Sequence, residues 1–204
     1  MPRKFLELAV TPSVLRAQEQ AYGRARPVAG APERDALGPH EIDFIAERDS
    51  FYLASVTESG WPYVQHRGGP AGFLEVVGPT TLRFADYQGN RQLLTTGNVG
   101  TDDRVALFLM DYPNRRRLKV LGHARIESAK ANPVLVEQLA EPALRPLVER
   151  VFVIEVTAFD WNCPKYITPR YTADEVRTIV EPLTQRIAEL ERALASTGTK
   201  GDAT

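Results

Sequence analysis

Residues 61–92 are the most informative stretch of the chain, because their side chains could bind an anion. The run opens as Trp61-Pro62-Tyr63-Val64-Gln65-His66-Arg67-Gly68-Gly69 and closes as Phe84-Ala85-Asp86-Tyr87-Gln88-Gly89-Asn90-Arg91-Gln92. The first part reads as a strand crowded with polar and cationic groups. The second reads as a strand, a glycine turn and a helix that opens with Asn90-Arg91-Gln92. An arginine in the first turn of a helix combines unpaired backbone N–H groups, the positive end of the dipole and a bidentate donor, which together suit a phosphate. The bland alternative is a capped helix with a surface arginine, since Asn is a common cap and Arg a good helix former.

The same two readings apply elsewhere. Gln65, His66, Arg67, Gly68 and Gly69 form either a half-exposed edge or a ligand wall in which glycines let a flat ring approach the backbone. Alternation puts Arg115, Arg117 and Lys119 on one face of a strand, as a solvated face or an anion site. Residues 160–170, with Trp161, Cys163, Lys165 and Arg170, read as an irregular aromatic and cationic loop. Cationic neighbours favour the Cys163 thiolate, but no histidine is placed to make a nucleophile pair. His40, His66 and His123 lack metal-ligand spacing, and no Ser-His-Asp signature, phosphate loop or dinucleotide fingerprint is present.

Positioning these groups falls to many short strands. A helix is expected over 11–24, with Thr11 as cap and Pro12 in the first turn. A Pro- and Gly-rich arm follows over 24–38, then a short helix over 39–48. Strands are expected over 50–57, 62–67, 73–77, 80–86, 104–111, 116–127 and 151–159, with helices over 90–97 and 133–148. Hairpin-linked strands at this spacing suggest a closed or nearly closed barrel. Thr172 and Glu175 form a capping box, after which Val176, Val180, Leu183, Ile187, Leu190 and Leu194 repeat at alternating spacings of four and three. Pro182 is a possible kink in that helix. The domain plan is an N-terminal helix and arm over 1–38, a barrel over 39–171, a C-terminal helix over 172–196 and a disordered tail over 197–204.

Composition sets the outer bounds. The 204 residues suffice for one large domain with appendages. Lys and Arg number 25 against 26 Asp and Glu, a balance that argues against a general nucleic-acid binder. The single cysteine excludes an intramolecular disulfide and a cysteine-rich zinc site, which points to a reducing compartment. The N-terminus has no apolar core of signal-peptide length and no segment reaches transmembrane length, so a cytoplasmic protein is expected.

The order of these signals resembles the pyridoxamine 5'-phosphate oxidase-like superfamily. The likeness rests on Gly60-Trp61-Pro62-Tyr63-Val64-Gln65, on residues 84–92, on residues 116–125 and on residues 161–170, and it covers about 40–170. Its most specific piece is Phe84 followed by Gly89-Asn90-Arg91-Gln92. The segment Thr11-Pro12-Ser13-Val14 and the loop Asn162-Cys163-Pro164 look like a bacterial FMN-binding subgroup.

The resemblance implies an α+β fold built on a six-stranded antiparallel split β-barrel, with FMN bound at a homodimer interface. It makes Gln65, His66 and Arg67 candidate flavin contacts and matches Ala85 and Asp86 to the end of the next strand. Arg91 matches the phosphate-binding arginine, flanked by Asn90 and Gln92. Trp161 and Arg170 resemble residues that complete the site from the partner subunit. Gln92 and Pro70 stand where the oxidases carry lysine, and Arg117 stands where they carry glutamine. Residues 129–148 contain no Tyr and no Ser, so the oxidases' grip on a substrate phosphate is missing there. The expectation is an FMN-dependent oxidoreductase acting on a small organic substrate or a reduced nicotinamide, with His66 as the one acid–base group in the cluster. The alternatives are a non-catalytic flavin binder or sensor, a haem binder using His66 or His123, a deazaflavin binder, or a structural dimer held by the C-terminal helix.

Overall fold

The computed structural model describes residues 3–161 and 164–198. They fall into two units, one within residues 1–111 and 116–165, the other within residues 112–115 and 166–204. The first contains helices α1 (Lys4–Ala9), α2 (Pro12–Tyr22), α3 (Pro39–Ala46), α4 (Leu94–Thr101) and α5 (Pro133–Leu139). Its strands are β1 (Ser50–Val56), β2 (Pro62–Gly68), β3 (Glu75–Gly78), β4 (Thr81–Tyr87), β5 (Arg104–Asp111), β6 (Arg116–Ser128) and β7 (Val148–Trp161).

All seven strands join one antiparallel sheet in the order β2-β1-β5-β6-β7-β4-β3. The fold is the expected α+β split barrel; its seven strands correspond to the seven read from the sequence, one more than the six-stranded barrel the resemblance implies, and the four-residue β3 pairs with β4 at the edge. Alternation drives the curl. Phe51 and Leu53 of β1, Leu107 and Leu109 of β5 and Leu118 and Val120 of β6 are essentially buried and share the inside with Phe84 and Phe152. Phe84 stacks on Phe152 at 4.9 Å and meets Phe51 edge-on at 5.3 Å, so β4 faces β1 across the interior. Burying each such ring contributes about 1.5–3 kcal/mol.

The long β6–β7 ladder shifts register between Leu121 and Gly122. A Cβ on Gly122 would lie 2.6 Å from the Glu155 carbonyl oxygen, so only glycine lets the strands approach there. A second cluster, with Ala85, Val136, Leu139, Val151 and Val153, seats α5 on the sheet.

Several expected boundaries move. The helix expected over 90–97 begins at Leu94, and the helix expected over 133–148 ends at Leu139, followed by a short 3-10 turn at Arg145–Leu147. The strand expected from 151 starts at Val148. Helix α1 was not anticipated. The arm over 24–38 ends in fixed contacts: the buried Asp35 accepts the Phe159 N–H at 3.3 Å, and the Leu37 N–H donates to Pro79 O at 2.7 Å.

The second unit is dominated by α6 (Ala173–Gly198). The expected capping box is present: the Glu175 N–H donates to Thr172 Oγ1 at 3.2 Å and the Thr172 N–H to Glu175 Oε2 at 2.7 Å. The expected tail from 197 overlaps the helix as far as Gly198, and its remainder lies outside the described residues, as does Cys163. Among the described residues no helix is long and apolar enough to cross a membrane.

Candidate functional site

A cleft opens between β2, the end of β4 and the segment leading into α4. Strand β2 alternates with a period of two, so Tyr63, Gln65 and Arg67 face the cleft while Val64 and His66 face away. Asp86 and Tyr87 enter from β4, Arg150 from the start of β7, and residues 89–96 form the remaining wall.

Charge is organised around Asp86, which is only 5% exposed. One carboxylate oxygen accepts from Arg67 Nη1 and the other from Arg150 Nε at 2.9 Å. Arg150 also donates to Glu149 at 2.7 Å. Burial works against the charged Arg150, but the hydrogen bonds and charges of Asp86 and Glu149 outweigh it and hold its pKa above the usual value. The Arg67 guanidinium lies over Phe152 at 5.3 Å and Phe84 at 5.9 Å, and its buried Nε finds no hydrogen-bond partner among the described residues. A buried donor of that kind signals a missing acceptor.

The loop before α4 supplies a second feature. Arg91 and Leu93 adopt left-handed backbone conformations, with φ of 62° and 55°. Each costs about 1–2 kcal/mol in a non-glycine residue, and such strain concentrates at ligand sites. Asn90 holds the bend, accepting from the Gln92 N–H at 3.1 Å and donating to the Gln92 side chain at 3.1 Å. No side chain caps α4, whose first turn therefore presents N–H groups at its positive end. Thr95, buried in that turn, donates to Gln65 Oε1 at 2.8 Å, and Asn98 donates to Ser55 Oγ at 2.9 Å, which ties the helix to β2 and β1.

Three guanidinium groups, Arg67, Arg91 and Arg150, thus share the cleft with one carboxylate. The excess positive charge, the partnerless Arg67 Nε and the uncapped helix start fit a phosphate monoester. Among the described residues no cluster of three or more His, Cys, Asp or Glu is arranged to hold a metal.

The structure brings Gln65, Arg67, Asp86, Asn90, Arg91 and Gln92 together in this cleft. Arg91 precedes the helix instead of lying in its first turn, because the chain bends through Leu93 before α4 begins. His66, Ala85, Arg117 and Trp161 of the same unit do not line it. His66 is exposed on the opposite face of β2, edge-on to Tyr52 at 5.7 Å. The Ala85 side chain turns into the α5 cluster. Arg117 sits on β6 with its guanidinium 5.8 Å from the Phe108 ring, and its buried Nε has no partner among the described residues. Trp161 donates to Glu41 Oε1 at 2.7 Å and packs edge-on against Phe44. Arg170 belongs to the second unit, over Tyr112 at 5.0 Å. The resemblance assigns Trp161 and Arg170 to a site completed by a second copy.

Sequence reading missed Arg150, Tyr63 and Thr95. Arg150 precedes the expected start of its strand by one residue. Continuing the inward alternation back from Ile154 and Phe152 would have found it.

No curated protein matches the chain. Solved structures with a similar fold include a Lactobacillus delbrueckii protein proposed to be a pyridoxamine 5'-phosphate oxidase (20% identity, TM-score 0.48, 62% of this chain and 94% of that one). An F420 reductase is similar at 23% identity and a TM-score of 0.44, over 60% of this chain and 98% of that one. An FMN-binding protein of Syntrophomonas wolfei is similar at 9% identity and a TM-score of 0.42, over 59% of this chain and 81% of that one. The sequence profile of the family described as Pyridoxamine 5'-phosphate oxidase matches residues 39–162, which takes in the whole cleft and more than half of the chain, and the chain belongs to that family.

Proposed function

We propose that the protein is a flavin-binding oxidoreductase whose cofactor is FMN. The observation that carries this reading is the pairing of a partnerless, buried Arg67 Nε with the left-handed Arg91 loop at the start of α4. Arg67, Arg91 and Arg150 would hold the phosphate, and Asp86 would fix two of them in place before the ligand arrives, which lowers the ordering cost of binding. Asn90 would keep the loop bent, and Gln65 and Tyr63 would line the path from the phosphate along β2. Bound flavin would supply hydride transfer, and the chain's part is to bind, orient and exclude water.

A homodimer with FMN at its interface accompanies this reading. Its support is the outer face of β1 and β2, where Tyr52, Val64 and His66 are exposed. In such an assembly His66, Arg117, Trp161 and Arg170 would act on the second copy's cofactor, with His66 as the acid–base group. The location that fits is the cytoplasm.

A non-catalytic flavin binder is the second reading. Within the cleft the carboxylate is locked between two arginines, and the Tyr87 phenol is pushed up, away from neutral pH, by burial and by the Glu141 carboxylate.

The deciding experiment is an absorption spectrum of the purified protein, chromatography of the released chromophore, and titration with FMN and riboflavin. Tight FMN binding with weak riboflavin binding supports the phosphate assignment. Equal affinities, or no flavin binding, overturn it. A Soret band moves the case to haem. Reduction of bound FMN by a nicotinamide, followed by turnover, separates the enzyme from the carrier.

A further inference from the structure

Every described side chain of α6 from residue 173 to residue 195 is exposed, including a continuous apolar stripe. Val176, Val180, Leu183, Ile187 and Leu190 are 46%, 48%, 59%, 56% and 47% exposed. Their alternating spacing of four and three is the heptad of a coiled coil, with Val180 and Ile187 at position a and Val176, Leu183 and Leu190 at position d. An isolated amphipathic helix is marginal in water, and Pro182 inside this one weakens it further by removing one backbone hydrogen bond. Pro182 falls at position c, on the outer surface, where its ring leaves the stripe undisturbed.

The side chains at a, d, e and g select the occupant. A β-branched residue at a with leucine at d favours two parallel strands. Arg186 occupies g and Glu191 the e position five residues later. In a parallel pair these two meet across the interface twice, once from each side. An antiparallel pair that keeps the a and d layers in register would set Arg186 against the partner's Arg186. Over residues 173–194 three arginines face five carboxylates, a balance that disfavours an anionic lipid surface.

We infer that α6 pairs with α6 of a second copy of this chain as a parallel two-stranded coiled coil over residues 176–190. The inference does not depend on flavin binding. A parallel pair has its two-fold axis along the superhelix, so a barrel dimer with the same axis is compatible with it.

The test is disulfide trapping in the full-length chain with Cys163→Ser as background. Leu190→Cys places a thiol at a d position, and mild oxidation is expected to convert this variant to a covalent dimer. Arg192→Cys, at the outward f position, is expected to stay monomeric on a denaturing gel. Arg186→Glu is expected to slow trapping of Leu190→Cys severalfold, and adding Glu191→Arg is expected to restore it. No trapping at Leu190, or equal trapping at Leu190 and Arg192, overturns the proposal. Trapping between separate Val180→Cys and Leu190→Cys chains in place of Leu190 with itself would show the antiparallel pair and overturn the parallel one.

Discussion

Arg67 on β2 and Asp86 on β4 form an ion pair although their strands stand first and sixth in a seven-strand order. That single contact reports the curl of the sheet and fixes one wall of the cleft. Asp86 also holds Arg150, so one buried carboxylate bridges two guanidinium groups. Removing it leaves like charges facing each other in a desolvated place. Asp86→Asn is expected to destabilise the fold by about 3–5 kcal/mol, read from chemical denaturation. Inorganic phosphate should recover more stability in the variant than in the parent, since it restores an anion between the arginines. A variant of parental stability would mean that the two arginines find other acceptors.

Arg91 combines a functional charge with a strained backbone, and the two separate in one substitution. Glycine adopts the left-handed region freely, so Arg91→Gly is expected to stabilise the fold by about 1 kcal/mol. It also removes a charge-assisted donor, which corresponds to about 1.5–3 kcal/mol of phosphate binding, or about ten- to a hundredfold in Kd. Thermal unfolding and FMN titration should therefore move in opposite directions, with riboflavin affinity unchanged. Loss of riboflavin affinity as well would place Arg91 in a purely structural role.

The contrast between Arg91 and Arg150 shows what a sequence makes legible. Strand periodicity in β1, β5 and β6 announces the barrel, because inward leucine and phenylalanine alternate with outward residues at every second position. Arg91 is legible because it sits in a compact local motif. Arg150 reaches the cleft only through strand pairing, in which it lies opposite Asp86, and pairing between segments 64 residues apart leaves no local trace. His66 leaves the cleft of its own chain for the opposite reason. It neighbours Gln65 and Arg67 in sequence, yet a strand turns successive side chains to opposite faces.

Glu41 ties α3 to the end of β7. Its Oε2 accepts the Gly38 N–H at 2.9 Å and its Oε1 accepts the Trp161 indole N–H at 2.7 Å. Burial pushes its carboxyl up, but the hydrogen bonds from Trp161, the Gly38 and Glu41 N–H groups and His40 outweigh that and hold it below the ordinary 4.5. A depressed folded-state pKa means that the contribution is complete above the unfolded value and is lost as pH falls through the folded one. Between neutral pH and about pH 5 the emission of Trp161 should stay constant, then change on further acidification. Trp61→Phe removes the other, exposed tryptophan so that the signal reports this pair. Glu41→Gln should flatten the transition. A transition that survives it would trace to another carboxylate.

Thr95 tests whether the start of α4 binds through its backbone. Its hydroxyl, in a residue 1% exposed, donates to Gln65 Oε1 and so aligns the helix with β2. Thr95→Val keeps the volume, removes the donor and alters no charge, so it should cost about 1 kcal/mol of stability. If the uncapped first turn of α4 receives the phosphate, losing this alignment weakens FMN binding while riboflavin binding is unaffected. The salt dependence of FMN affinity should stay as in the parent, because the three arginines remain. A variant with parental FMN affinity would assign phosphate binding to the arginines alone, with the helix end contributing nothing.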